Sequence, residues 1–186
     1  MTSRRATATA LALLVIMAFA HVAPALLNGR TFVRNDYGIQ FLPAFATLHG
    51  HAPIAGAPSW NPTIFGGAPE ELLPAMPRYP FAAMAYLVAP ERAVPLFVGL
   101  HLAIAALTAF AFMRVVVRAS VVGSFAGAEV YAFGGTLWVH GMHGENLAVA
   151  AWLPAIAARS RAPRSRARRR SRSSSAAACR CSSSPR

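Results

Sequence analysis

The chain has 186 residues, of which 55% are hydrophobic and only 13% are charged. Soluble domains carry about a quarter charged residues, so this composition argues against an ordinary soluble enzyme. The net charge of +12 is unevenly placed: residues 159–186 hold ten Arg and no acid, whereas residues 1–158 hold eight Arg and six acids. The chain therefore divides into a nearly neutral, apolar body and a strongly basic tail.

Residues 10–27 form an uninterrupted apolar run that follows Arg4 and Arg5. As a helix this run is about 27 Å long, enough to cross the hydrocarbon core of a bilayer. A cleaved signal peptide has the same basic start, and Ala18-Phe19-Ala20 has the form of a cleavage site. A retained anchor is favoured because the apolar run continues past that point, but both interpretations remain open.

Three further apolar segments follow at residues 94–113, 119–139 and 147–158. The first two are long enough to span a membrane, whereas the third begins like a span and is cut short. The body, residues 1–158, is therefore predicted to be an all-α integral membrane domain with three full spans and a partial fourth. Glu129 lies inside the third span, where a carboxyl group is costly; it marks either a functional site or a hydrogen bond to another helix.

The basic residues predict the orientation of these spans. With three full spans, one side of the membrane receives the tail together with Arg4, Arg5, Arg114 and Arg118. By the positive-inside rule that side, and the N-terminus, is cytoplasmic, and the loop of residues 28–93 is outside. Residues 79–90 are apolar but too short to span, and are predicted to form an interfacial or re-entrant helix.

The outer loop contains the first candidate for chemistry. Tyr37–Leu48 is predicted to be a short helix along the membrane surface, with an apolar side formed by Phe41, Leu42 and Phe45. Asp36 stands at its N-terminus, at the predicted membrane boundary. Its carboxylate suits a general base for an acceptor hydroxyl or a ligand for a divalent cation that neutralises a phosphate. The alternative is a helix N-cap.

A second candidate group is His140, His143 and Glu145, at the outer end of the third predicted span. A His-x-x-His pair with a nearby acid is a weak divalent-metal pattern, because it lacks a defined third ligand. Hydrogen bonding at the membrane boundary is the alternative.

The tail, residues 159–186, consists of Arg, Ser, Ala, Pro and Cys only. Such a composition cannot build a core, so the tail is predicted to be disordered. One interpretation is an electrostatic arm for anionic lipid or nucleic acid. The favoured interpretation is a frameshift, because GC-rich DNA translated out of frame yields this composition and the tail interrupts an apolar segment. No specific nucleic-acid partner is expected.

Several loose motifs occur in a fixed order along the body. They are G-R-x-F-V-x-N-D-Y-x-x-Q-F-L-P (residues 29–43), P-x-W-N-P-x-I-F-G-G-A-P (residues 58–69), Tyr79-Pro80 and Ala151-Trp152-Leu153-Pro154. In this order and placement between spans, the chain resembles the N-terminal part of a bacterial YfhO-like membrane protein of the GT-C glycosyltransferase superfamily. The resemblance covers about residues 8–158, and such proteins have many more spans.

The resemblance implies a multi-pass protein of the bacterial inner membrane that transfers a sugar from a polyprenyl-phosphate donor on the extracytoplasmic face. It implies Asp36 as the catalytic carboxylate of this loop, with Arg34 and Gln40 beside it. It also places His140, His143 and Glu145 on the same face, in a supporting role. Further loop residues implied to shape the site are Trp60, Asn61, Gly66 and Gly67. Two alternatives remain: a transporter fragment whose path is lined by Glu129 and the histidines, or a truncated product without function.

Overall fold

Seven α-helices and one short β-ribbon form the regular structure in this computed structural model, which describes residues 2–49, 60–62, 66–69 and 79–161. The helices are α1 (Thr2–Leu27), α2 (Leu42–Leu48), α3 (Met84–Leu87), α4 (Pro90–Phe112), α5 (Val121–Phe133), α6 (Gly135–His140) and α7 (Gly144–Arg161). A π-helical turn, Tyr37–Phe41, precedes α2; a second, Met113–Val117, follows α4; and a 3₁₀ turn, Pro80–Ala83, precedes α3. Strands β1 (Trp60–Asn61) and β2 (Ala68–Pro69) pair antiparallel. The prediction of a mostly helical chain is confirmed.

Helix α4 lies at the centre of the structure. It packs against α1, α2, α5 and α7, and most of its side chains are buried. Helix α1 turns one stripe towards this core, with buried residues one turn apart at Ala10, Leu14, Ala18 and Val22. Residues spaced by four share a face of a helix, so α1 packs against the core through one narrow face and leaves its other sides more exposed.

Among the described residues, two helices are long and apolar enough to cross a membrane, Arg4–Leu27 and Pro90–Val117. They contain the first two predicted spans, residues 10–27 and 94–113. A signal sequence or the core helix of a soluble protein meets the same criterion, so length and composition make these helices compatible with membrane insertion without establishing it.

The third predicted span, residues 119–139, is not one helix but two. Ser120 caps α5, its Oγ accepting from the Gly123 N–H at 3.1 Å, and α5 ends at Phe133 because Gly134 turns to an extended ψ of 158°. A Cβ on Gly134 would lie 2.2 Å from the Val130 carbonyl oxygen, so only glycine fits this break. The 13 residues of α5 extend about 20 Å, less than a bilayer core.

Helix α7 is longer than the predicted segment 147–158. It begins at Gly144 and ends at Arg161, with Arg159 and Arg161 in its last turn, so the helix extends three residues beyond the predicted boundary at residue 158. Cationic side chains at a helix C-terminus interact favourably with the helix dipole, which explains why the helix continues into the basic sequence. Residues 162–186, the remainder of the predicted disordered tail, lie outside the described residues.

Side chains of two neighbouring helices donate to backbone carbonyls of α7. The Tyr131 hydroxyl of α5 donates to the Ala150 carbonyl at 2.8 Å, and the Thr108 hydroxyl of α4 donates to the Ala151 carbonyl at 2.7 Å. Pro154, inside α7, is also buried. These bonds attach α7 to both neighbours at one level of the helix.

The short helix predicted at Tyr37–Leu48 forms, but it does not lie along a surface. Phe41, Phe45 and Leu48 are fully buried, and the first two rings contact Phe97 of α4 at centroid distances of 5.4 and 6.0 Å. The apolar side of this helix is therefore part of the protein core. A surface position was predicted because hydropathy records an apolar face without identifying what covers it.

The segment predicted to be interfacial or re-entrant, residues 79–90, is a 3₁₀ turn followed by the four-residue helix α3. Its first residue, Tyr79, bonds to His101, which is eleven positions into α4 and so about 16 Å beyond the start of that helix. The segment therefore lies along α4 and returns to the beginning of that helix at Pro90.

Candidate functional site

Asp36 and His143 are 107 positions apart in the chain and meet in the structure. The Asp36 Oδ2 atom and the His143 Nδ1 atom are 2.5 Å apart. The Asp36 side chain is 13% exposed and the His143 side chain is 44% exposed, so the pair stands at the surface with the imidazole outermost. Both residues were predicted site residues.

The segments on either side of the pair attach to each other through two further contacts. The Tyr37 hydroxyl donates to the Gly141 carbonyl at 2.6 Å, and the Asn35 side-chain amide contacts the Met142 sulfur at 3.5 Å. Residues next to Asp36 thus bind residues next to His143. The pair is therefore held by its neighbours as well as by its own hydrogen bond.

Gly144 allows these two segments to approach. A Cβ at this position would lie 2.4 Å from the Phe41 ring, so the first residue of α7 rests directly on an aromatic side chain of the π-helical turn. Because His143 immediately precedes Gly144, the contact of Gly144 with Phe41 sets the distance between His143 and Asp36.

The N-cap interpretation of Asp36 is wrong. Asp36 occupies the N-cap position, but its backbone is already helical and its side chain makes no capping bond. Both carboxylate oxygens instead face side chains: Oδ2 meets His143, and Oδ1 accepts from the Gln40 amide at 3.5 Å. Gln40 was also a predicted site residue, and it lies one helical turn beyond Asp36.

The hydrogen bond decides the tautomer of His143. A carboxylate only accepts hydrogen bonds, so the Nδ1 atom that faces Asp36 carries a proton. In the neutral imidazole, Nε2 then has a free lone pair, and the ring is nearly half exposed. An imidazole oriented by a carboxylate in this way can accept a proton from a hydroxyl group.

Tyr37 is buried beneath the pair. Burial raises the pKa of its hydroxyl well above the usual value, and the carboxylates of Glu145 and Asp36 raise it further. The phenol therefore keeps its proton and remains a donor to Gly141. Glu145 Oε2 and Gln40 Oε1 are buried without a hydrogen-bond partner among the described residues.

An apolar pocket of about 320 Å³ opens beside these segments. Residues before and after the pair form part of its wall, including Arg34, Tyr37 and Met142, and α4 contributes Val98 and Leu102. Arg34 is the charged residue among those that line the pocket. Thr31 also lines it and has a buried hydroxyl with no partner among the described residues. The pocket suits an apolar body with an anionic group.

The hydrogen bonds that Asp36 makes among the described residues do not include the remaining predicted residues. Trp60 is 54% exposed on β1, Asn61 pairs through its backbone with Ala68, and Gly66 and Gly67 lie in the connection with positive φ angles of 76° and 111°. The side chains of Asn61 and His140 lie outside the described residues. Glu129 is exposed on α5. Among the described residues, no group of three or more His, Cys, Asp or Glu side chains is arranged to hold a metal ion.

A second polar cluster was not predicted from the sequence. The Trp152 indole N–H donates to the Tyr79 hydroxyl at 3.0 Å, and this hydroxyl is 2.7 Å from His101 Nε2. The other nitrogen of His101 is 2.7 Å from the Phe97 carbonyl oxygen. Tyr79 and Trp152 each belong to one of the motifs that carry the resemblance, and this membership was the only sequence signal for the cluster. Nothing in the spacing of the two residues indicates that they meet.

Comparison with known proteins adds no relative: no protein-family model, no curated protein and no solved structure matches the chain.

Proposed function

We propose that this chain is the N-terminal part of a membrane glycosyltransferase that uses a polyprenyl-phosphate sugar at the outer face of the bacterial inner membrane. The observation that carries the proposal is the contact of Asp36 with His143 beside an apolar pocket that includes Arg34. An acid–base pair suits activation of a hydroxyl, and an apolar pocket with a cation suits a lipid phosphate. The motif order from Gly29 to Pro154 supports the same assignment.

In the proposed reaction the base is His143, and Asp36 orients it. His143 Nε2 takes the proton of the acceptor hydroxyl while the oxygen of that hydroxyl attacks the anomeric carbon of the sugar. The bond between that carbon and the phosphate oxygen breaks, and polyprenyl phosphate leaves with the electron pair. Arg34 stabilises the negative charge of the phosphate, and the Asp36 carboxylate stabilises the imidazolium.

The proposed membrane placement follows the two long helices. Arg4, Arg5, Arg114 and Arg118 lie at the ends of α1 and α4 that the positive-inside rule assigns to the cytoplasm. Asp36 follows the opposite end of α1, and His143 precedes the N-terminus of α7. The pair then lies near the outer boundary, where the head group of a polyprenyl phosphate is found.

The test is release of polyprenyl phosphate from a panel of polyprenyl-phosphate hexoses by membranes that contain the complete transferase, with this chain as its N-terminal part. Asp36→Asn keeps the side-chain size but removes the charge that orients His143, so release falls by roughly 10²–10⁴-fold. Glu91→Gln, at an exposed acid in the first turn of α4, is the matched control and leaves release unchanged.

The amount of chain in the membrane is measured for each variant, because lost protein would imitate lost activity. Full release by Asp36→Asn at equal protein, or a complete parent transferase that releases no polyprenyl phosphate from any donor, contradicts the proposal.

A further inference from the structure

Charged side chains are divided unevenly between the two ends of the helical bundle. One end, where α1 begins and where α4 and α7 finish, carries arginine without any acid among the described residues. We call it the arginine end, and its members are Arg4, Arg5, Arg114, Arg118, Arg159 and Arg161. Three arginines and three acids balance at the opposite end: Arg30, Arg34, Arg92, Asp36, Glu91 and Glu145.

The packing of α1 on α4 brings the first two arginines to this end. The Phe19 and Val22 side chains of α1 meet Gly99 of α4. The buried face of α1 extends from Val22 back to Ala10, about 18 Å, which is longer than the part of α4 that precedes Gly99. Helix α1 therefore runs back along the later part of α4. Its first residues reach the level of the π-helical turn Met113–Val117.

Helix α7 brings two more arginines to the same level. It contacts α4 through the bond from Thr108 to the Ala151 carbonyl, and it also packs against the π-helical turn Met113–Val117. Helices α4 and α7 therefore run in the same direction. Arg159 lies eight residues beyond Ala151, about 12 Å, and Val116 lies equally far beyond Thr108. Arg159 and Arg161 thus stand at the level of the arginines in and after the turn.

The charges of the arginine end are not neutralised within the described part of the chain. Five of its six arginines are exposed, and none of the six forms an ion pair with a described carboxylate. The Arg114 guanidinium donates to the Ala119 carbonyl, which leaves its charge in place. The acid of α5, Glu129, lies about 12 Å along that helix from its first residue. This end therefore attracts anions.

Aliphatic side chains are exposed among these arginines. Val115 is 71% exposed, Val117 is 52% exposed, and Ile156, one turn before Arg159, is 62% exposed. Anionic lipids present phosphates to cations and acyl chains to aliphatic groups at one boundary, so they match both features. A nucleic acid matches the arginines only and leaves the aliphatic side chains in water.

We propose that the arginine end binds the phosphate head groups of anionic lipids at a membrane surface, with its exposed aliphatic side chains against the acyl chains. Arginines from three separate parts of the fold take part, so the surface exists only when α1, α4 and α7 are packed together. The lipid surface lies at the end of the bundle opposite to Asp36 and His143. The proposal depends neither on the transfer reaction nor on the number of membrane spans.

The test measures binding of a fluorescent phosphatidylglycerol to the purified full chain in neutral detergent micelles, by fluorescence anisotropy. The eight arginines of residues 162–186 are first replaced by Gln, so that they do not bind the probe. Unlabelled phosphatidylglycerol competes with the probe, whereas zwitterionic phosphatidylcholine does not.

Two double variants with the same change of charge locate the site. Arg5→Gln with Arg159→Gln raises the Kd of the probe about 25-fold, because each arginine near an anionic surface contributes about fivefold. Arg30→Gln with Arg92→Gln, at exposed positions of the opposite end, is the matched control and leaves the Kd unchanged. Arg5→Lys with Arg159→Lys keeps both charges and binds like the parent. Circular dichroism compares the helical content of all three variants with that of the parent.

Several results overturn the proposal. They are the absence of probe binding, equal competition by phosphatidylcholine, equal Kd values for the two Gln variants, and lost binding in the Lys variant. Glycerol phosphate that competes as well as phosphatidylglycerol would make this end a site for free phosphate. A single-stranded oligonucleotide that displaces the probe at lower concentration than phosphatidylglycerol would make it a nucleic-acid surface. Either of these two results also overturns the assignment to lipid.

Discussion

His143 and His101 each have one ring nitrogen hydrogen-bonded to an oxygen atom. They differ in the surroundings of the second ring nitrogen. His143 Nδ1 faces the Asp36 carboxylate, and its half-exposed ring leaves Nε2 open. His101 is fully buried; its Nδ1 faces the Phe97 carbonyl and its Nε2 faces the Tyr79 hydroxyl. The first imidazole can accept a proton, whereas the second has no free position. The comparison shows that the surroundings, rather than the residue type, separate a reactive imidazole from a structural one.

The bonds around His101 are consistent with one another. A carbonyl only accepts, so Nδ1 carries the proton and Nε2 accepts from Tyr79, whose oxygen in turn accepts from Trp152. The chain of donors ends at a backbone carbonyl, so it moves no proton onward. Its effect is to join the segment before α3 to α4 and α7.

The sharpest test of this difference is His143→Ala. Transfer falls by roughly 10²–10⁴-fold, because the proton acceptor is lost, while the thermal unfolding midpoint changes little because the side chain is half exposed. Transfer and unfolding are measured on the same membrane preparation. Combining this change with Asp36→Asn lowers transfer no further, because the two residues act as one unit. If the losses of transfer in the two single variants add in the double variant, Asp36 and His143 act independently.

His101→Ala has the opposite profile. It opens a cavity in the core and leaves the partly buried Tyr79 hydroxyl without its acceptor, so the free energy of unfolding falls by about 2–4 kcal/mol. Chemical denaturation in detergent measures this loss. Transfer per folded molecule stays at the level of the parent chain. A variant that remains stable but loses transfer would give His101 a role in the reaction.

Gly144→Ala addresses the approach of the two site segments and has the smallest expected effect. The added methyl group meets the Phe41 ring, and overpacking of this kind costs about 1–3 kcal/mol. Gly135→Ala is the matched control: a Cβ there meets nothing within 4 Å, so stability changes by less than about 1 kcal/mol, in the stabilising direction. Equal effects of the two substitutions would show that the ring contact does not limit the approach of His143.

Hydropathy predicted the parts of this fold that depend on composition alone. Helices α1 and α4 contain the predicted spans, because a long apolar run favours a helix whatever surrounds it. The break at Gly134 was missed because the segment stays apolar through the glycine pair. The burial of Phe41 and Phe45 was missed for a different reason: a single sequence does not identify the residues that pack against an apolar face.

The candidate site was predicted in part. Asp36 and His143 were both selected, because a count of spans places their loops on one side, but their contact across 107 positions has no local signal. Asp36 was assigned the role of base, whereas its bond to His143 favours an orienting role. The cluster of Tyr79, His101 and Trp152 depends on three separate segments, and such a set is recognisable only once the helices are packed.

The proline inside α7 explains why that helix accepts a hydrogen bond from α5. Pro154 has no N–H, so the carbonyl of Ala150, four residues earlier, loses its normal partner within the helix. The Tyr131 hydroxyl occupies that vacancy at 2.8 Å. The carbonyl that lacks its backbone partner is therefore satisfied only when α5 is in this position. Sliding either helix by one turn would leave an unpaired carbonyl in an apolar interior. The irregularity of one helix therefore specifies the register of another.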